Sequence, residues 1–196
     1  MALLNADEEV CIEAEENYVK STYRNRCEIV GSGGTIDLSI PLKGGRDHHQ
    51  LYKGSLIGYS DDWQHRHYMS ILSCYGSAPF FEHYIPYLKP FYEKQYTTLF
   101  DYNKELLILL IRLMKLDVKL HFTDTFEKIP TGKIDLRKSF KPGKEMVEVG
   151  RWKIVNVPYM RVFDTPESSL NISSLDLLFS EGPGSKVVLE QMVVRH

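Results

Sequence analysis

The amino-acid sequence predicts an α/β fold (α+β being the alternative layering), with an N-terminal antiparallel β-meander leading into a mainly helical half. Three observations carry this expectation. Apolar and polar residues alternate through residues 8–42, the period of a half-buried sheet. Apolar residues recur at helical spacing over 61–75 and 101–116. The 196 residues suffice to bury one core without staples, and no repeat or composition break marks a second domain.

Three strands are expected first. Val10, Ile12 and Ala14 alternate with acidic neighbours, then Tyr23, Asn25, Cys27 and Ile29 with Arg24, Arg26 and Glu28, then Ile36, Leu38, Ile40 and Leu42 with Thr35, Asp37 and Ser39. GSGG at 31–34 leads into another strand rather than a helix, so it reads as a hairpin turn and not a phosphate-cradling loop. After Pro41 the chain is polar and glycine-rich to residue 54, and SLIGY at 55–59 suggests a short strand.

The spacing then predicts a helix capped by Ser60, with Asp61 and Asp62 in its first turn, running to Tyr75 and ending at a C′ glycine, Gly76. A second helical piece starts near Ser77 and is punctuated by Pro86 and Pro90. DYNKELLILLIRLMKL at 101–116 predicts a central, largely covered helix, and VKLHF at 118–122 a strand. Residues 127–146 are polar, broken by Pro and Gly, and read as a mobile loop. A strand pair is expected within 148–162. Ser173 and Asp176 have capping-box spacing before a short helix that ends at Gly182-Pro183, and 186–194 predicts a last helix.

Charge and cysteine content exclude several functions. A net charge of −2 opposes nucleic-acid binding, which needs a basic surface. Three cysteines without a CxxC pair favour free thiols in a reducing, cytoplasmic setting. LLILLI at 106–111 is too short to span a bilayer, so no membrane insertion is expected. No cofactor follows from the residues.

The stretch 63–84, WQHRHYMSILSCYGSAPFFEHY, holds three histidines. At roughly 100° per residue, His65 and His67 fall roughly 160° apart on a helix, so they cannot share one metal ion. His48 and His49 are adjacent and point apart, and no metal site is expected. His67 falls on the apolar stripe with Trp63, Ile71 and Tyr75. Spacing alone favours a core histidine, while Trp63 and Tyr75 beside it make it a candidate general base in a partly polar aromatic cleft. Arg24 and Arg26 share one expected strand face, roughly 7 Å apart. Their anions would be Glu28, Glu13 or Glu15 in a cross-strand ladder, or a bound phosphate or carboxylate. Asn25 would face the apolar side and need hydrogen-bond partners.

ENYVKSTYRNRCEI, LSIPL, DDWQHRHYMSILSCYGSAPFFEHY, FYEKQYTTLFDYNKELL and LNISSLDLLFSEGPGS, in this order, resemble the bacterial WbqC-like family. The resemblance covers most of residues 8–190 and is least distinctive over 127–155. It rests most on W-x3-H-x7-Y-x3-P-F-F and N-x-S-x2-D-L-L-F. It implies a role in O-antigen or other surface-polysaccharide biosynthesis, with aminoacyl (glycyl) or acyl transfer to a sugar as the suggested activity. The alternative is a non-catalytic binding or scaffolding protein of the same pathway. Implied partners are a small-molecule or sugar-linked substrate and polysaccharide-biosynthesis enzymes. By motif, the positions of interest are Asn17, Arg24, Asn25, Arg26, Trp63, His67, Tyr75, Asn171, Ser173 and Asp176. The family's usual Tyr- and Pro-rich opening segment is expected to be missing from this chain, through shortening or a misassigned start.

Overall fold

In the structure, a computed structural model, residues 9–44, 50–130, 132, 134–137, 139–140, 148–149, 152–163 and 172–195 are described. Asn171, His48 and His49 lie outside these residues.

Strands β2 (Arg26–Gly31) and β3 (Gly34–Ser39) form the expected hairpin, from Arg26 opposite Ser39 to Gly31 opposite Gly34. Gly34 has φ 112°, a backbone that a side chain would strain. The expected third strand of a meander goes elsewhere. Strand β1 (Glu9–Ile12) pairs in parallel with β4 (Lys119–Phe122), Glu9 opposite Lys119. Alternation reports which face of a strand is buried, not which neighbour it takes. Beyond Ile12 the chain stays with β4. The Thr123 N–H donates to Ile12 O at 3.1 Å, and Thr123 Oγ1 accepts from the Ala14 N–H at 2.9 Å. β2 begins three residues later than expected, because residues 23–25 turn. The SLIGY segment makes only isolated bridges, Leu42 to Ile57 and Leu56 to Thr98.

Helix α1 (Trp63–Tyr75) buries Trp63, His67, Ile71, Cys74 and Tyr75, the stripe that the spacing predicts. Its N-cap is Asp62 rather than Ser60, and Gly76 closes it with ordinary right-handed torsions, not as a left-handed C′ residue. Helix α2 (Phe81–Glu93) runs through both prolines. It buries Phe81, Tyr84, Leu88 and Phe91, while Pro86 and Pro90 stay exposed on the other side. The carbonyls that lose a partner to these prolines belong to exposed residues, Glu82 and Pro86, so water can satisfy them. Gln64 of α1 donates to Phe91 O and Lys94 O at 3.1 and 2.8 Å, tying α1 to the end of α2.

Helix α3 (Leu99–Leu113) starts at Thr98, whose Oγ1 accepts from the Asp101 N–H and donates to the Asp101 carboxylate. It buries Tyr102, Leu109 and Leu110 but leaves Ile108 exposed. Near the C-terminus, β5 (Glu148–Val149), β6 (Trp152–Ile154) and β7 (Val193–Arg195) form an antiparallel sheet. Between β6 and β7 lie α4 (Ser174–Glu181) and α5 (Ser185–Gln191), so the helix expected over 186–194 stops early and its last residues become an edge strand. In the 127–146 segment, the described residues form no helix or strand. Arg137 gathers that segment, reaching Asp135, the carbonyls of Glu127 and Lys128, and Glu13. One cluster of buried apolar side chains runs from Ala14 to Leu189.

Gly182 ends α4 with φ 51°, and a Cβ there would lie 2.5 Å from the Phe80 ring. Both the torsion and the contact exclude a side chain. Gly182→Ala is expected to cost about 2–3 kcal/mol in chemical denaturation; a loss below half a kcal/mol would show that the Phe80 contact relaxes freely.

Candidate functional site

The turn between β1 and β2 and the chain after β3 enclose a groove of about 290 Å³. Tyr18, Lys20 and Ser21 form one lip, Asn25 and Arg26 lie beneath, and Ser39 to Gly44 with Gln50 close the other side. Its frame is hydrogen-bonded. The Ile40 N–H donates to Asn25 O at 2.8 Å, Asn25 Nδ2 donates to Ile40 O at 3.0 Å, and the Tyr18 N–H donates to Gln50 O at 2.8 Å. Thr22 Oγ1 donates to Val19 O at 2.8 Å and holds the lip, in which Ser21 adopts φ 56°. That torsion costs a non-glycine residue roughly 1 kcal/mol. Lys20, Arg26 and Lys43 bring three cations to the groove, and no carboxylate occurs among its described lining residues.

Arg26 and Arg24 do not act as a pair. Arg24 precedes β2, and its Nε and Nη2 bind the Glu16 carboxylate. Its carbonyl accepts from Asn103 Nδ2. Arg26 Nη1 lies 3.5 Å from Asp37 Oδ2, across the hairpin. The carboxylates that serve the two arginines are therefore Glu16 and Asp37, not the expected Glu28, Glu13 or Glu15. Those last two instead meet Arg137 and Lys53. Asn17 is exposed and bridges Leu51 through its backbone beside the groove.

His67 lies behind the groove wall. It is 7% exposed, its ring sits 5.1 Å from that of Trp63, and one N–H donates to the carbonyl of Ser39, a lining residue. Burial, then the Arg66 charge, lower its pKa to about 4, against a smaller opposing effect of the Ser39 carbonyl. The imidazole is neutral at pH 7. Trp63 is fully buried, and its Nε1 donates to Gly58 O at 3.2 Å. The expected aromatic cleft around His67 is thus packed solid, with Trp63 against Tyr59 and Tyr102.

Tyr75 and Asp176 form a separate buried network, with the half-buried Ser173 beside it. The Val30 N–H of β2 donates to the Tyr75 hydroxyl at 3.3 Å, and that hydroxyl meets Asp176. Burial, then the Asp176 charge, raise the Tyr75 pKa. Ser173 caps α4 by accepting from the Leu175 N–H, and its own N–H donates to Glu28 O at 2.8 Å. The capping box is half made. The Asp176 side chain does not turn back to the cap but accepts from Tyr159 Oη at 2.6 Å and pairs with Arg161 Nε at 3.3 Å. Asp176 is buried and the Arg161 side chain is only 10% exposed. Next to Ser173, burial pushes the Cys27 thiol up to about 11, so it stays protonated and unreactive.

Of the expected site residues that are described, then, only Asn25 and Arg26 line the groove. Tyr18, Lys20, Lys43, Gln50, Tyr159 and Arg161 are not among the residues that the sequence singles out. Tyr18 and Lys20 sit inside the NYVKSTYRNR run, where their density with Arg24 and Arg26 was the available signal. Among the described residues, no three His, Cys, Asp or Glu side chains converge as a metal site, and no helix is long and apolar enough to cross a membrane.

The WbqC-like protein family model matches residues 1–141. The chain belongs to the WbqC-like family. The match contains the groove, α1 with His67, and α2, whereas the Ser173–Asp176 network lies beyond it. No curated protein and no solved structure matches the chain.

Two outcomes follow for this WbqC-like protein. A histidine with a folded pKa near 4 stays neutral where the unfolded chain already takes up a proton near pH 6.5. Its contribution is full above pH 6.5 and lost as pH falls toward 4, on the order of 3 kcal/mol in all. His67→Gln should flatten stability against pH across that window in urea titrations; an unchanged slope would place the proton uptake elsewhere. Asp176→Asn leaves the largely buried Arg161 without its counter-charge and should cost about 3–5 kcal/mol, read from the same titrations.

Proposed function

We propose that this WbqC-like protein serves surface-polysaccharide (O-antigen) assembly in the cytoplasm by holding an anionic, sugar-linked substrate in the Arg26 groove. One observation carries the reading: Lys20, Arg26 and Lys43 meet there without a lining carboxylate among the described residues. Like charges gathered around one groove repel one another, and an anionic ligand relieves that repulsion. Tyr18 and the Asn25 amide add the flat and hydrogen-bonding surfaces that sugars use. The pathway itself follows from the family resemblance.

The step implied by the resemblance is transfer of an aminoacyl (glycyl) or acyl group to the sugar. In that reaction a base must take the proton of the acceptor amine or hydroxyl. His67 is the group nearest in kind, since its neutral ring has one nitrogen on Ser39 O and the other free of a proton. Ser39 would have to shift for it to reach a substrate. A base of pKa about 4 is also poorly matched to proton abstraction at neutral pH. That mismatch favours a second reading, a non-catalytic binding protein that presents the substrate to polysaccharide-biosynthesis enzymes.

Calorimetric titration with a panel of sugar phosphates, uronic acids and neutral monosaccharides tests the groove. Arg26→Ala is expected to weaken the anionic ligands at least tenfold, about 1.4 kcal/mol. Equal affinity for neutral and anionic sugars would sink the reading. With a transfer assay in hand, His67→Gln lowering turnover a hundredfold at unchanged substrate affinity separates transferase from binding protein.

A further inference from the structure

Among the described residues, four buried side-chain polar atoms have no hydrogen-bond partner, and three belong to the four-residue run Tyr23–Arg26. These are Tyr23 Oη, Asn25 Oδ1 and Arg26 Nε; the fourth is Ser180 Oγ. Each such atom costs about 1–3 kcal/mol, so a concentration of three calls for a cause. Two of the three residues line the groove.

The Arg26 partner is weakly held. Its 3.5 Å contact with Asp37 is longer than the 2.7–2.9 Å typical of a charge-assisted hydrogen bond. The side chains are 31% and 50% exposed, a setting in which ion pairs contribute little. Arg26 therefore has one weak acceptor on Nη1 and none on Nε, although the guanidinium edge is shaped for two oxygens.

We propose that the groove takes the phosphate of a monosaccharide phosphate, and that Asp37 occupies Arg26 until that phosphate displaces it. This rests on the groove being the substrate site. Three cations balance the double charge of a phosphate monoester better than the single charge of a uronate carboxylate. The volume of about 290 Å³ lies at the lower limit of small-molecule pockets, about 300–1,000 Å³, and accommodates one phosphorylated sugar ring. On binding, the guanidinium turns from Asp37 to the phosphate and gains the acceptor that Nε lacks. Asn25 Oδ1, an acceptor only and enclosed as the groove stands, takes a hydroxyl or amino hydrogen of the sugar once the amide turns outward. The half-exposed Asp37 carboxylate returns to water or to the Tyr23 hydroxyl. That phenol already feels it, its pKa being raised by burial, then by Glu28 and Asp37.

The experiment is calorimetry with glucose 1-phosphate, glucuronate and inorganic phosphate on the wild-type chain, Arg26→Ala, Asp37→Asn and Asp37→Thr, each checked for an unchanged melting transition. Asp37→Thr keeps a strand-favouring residue should the amide perturb β3. The expected result has three parts. Glucose 1-phosphate binds at least tenfold more tightly than glucuronate or inorganic phosphate. Both Asp37 variants tighten it about 3–10-fold by removing the competitor, and Arg26→Ala abolishes the gain. Unchanged or weaker binding by both Asp37 variants overturns the competition. Glucuronate or inorganic phosphate binding as well as the sugar phosphate overturns the ligand class. Either result leaves an anionic sugar groove standing, whereas no binding of any sugar anion by any variant rejects that groove itself.

Discussion

Strand β2 has a second edge, and the buried half of the protein is arranged to satisfy it. One edge is taken by β3. The other lies against helices, where an unpaired N–H or carbonyl would cost as much as a lost hydrogen bond. Among the described residues, no third strand supplies the partners. The Tyr75 hydroxyl takes the Val30 N–H, and the chain at Ile172–Ser173 runs beside Glu28 and takes its carbonyl. Each substitute makes a further demand. Tyr75 needs an acceptor for its own proton and finds Asp176, whose buried charge in turn needs Arg161 and Tyr159. A single strand edge thus leads through side chains to the segment at 159–161.

At its other end β2 behaves differently. Near Val30 the Tyr75 hydroxyl supplies a partner, but between Arg26 and Tyr23 three buried side-chain atoms lack one. The same strand joins a closed polar network to an open, cationic groove, and the hydrogen bonds between Asn25 and Ile40 hold the boundary in place. His67 belongs to the closed side. It braces Ser39 from behind, and its neutrality adds no further positive charge to a groove that already holds three.

Much of the fold is legible in local pattern. The β2–β3 hairpin, the buried stripe of α1 and the strand at 119–122 follow from periods of 2 and 3.6 and from a turn rich in glycine. What pattern cannot carry is the partner of an element. The strand Val10–Ile12 looks like the neighbour of β2 because it precedes β2 in the chain, yet it lies beside β4. The helix prolines mislead for a related reason, since the carbonyls that Pro86 and Pro90 orphan lie on the exposed side of α2, where water can take them. The site divides likewise. Asn25 and Arg26 stand out as polar residues in a strand-like run, whereas Lys20 and Lys43 become neighbours only after Tyr18 bonds to Gln50 and Ile40 to Asn25. Asp176 was visible as a cap, but its diversion to Arg161 depends on a loop that has no periodicity.

The parallel pairing of β1 with β4 has a consequence for the order in which the chain assembles. Ala14 and Thr123 meet across 109 positions, with three helices between them. The β2–β3 hairpin and α1 close contacts among near neighbours and can form as soon as about the first eighty residues have left the ribosome. β1 then waits, exposed and half apolar, until Lys119–Phe122 emerges. Contacts of such separation close slowly and leave a strand edge open to wrong partners in the interval. The acidic run Glu13, Glu15 and Glu16 follows that waiting strand directly, and its charge discourages association with other chains until Arg137, Lys53 and Arg24 neutralise it in the finished fold.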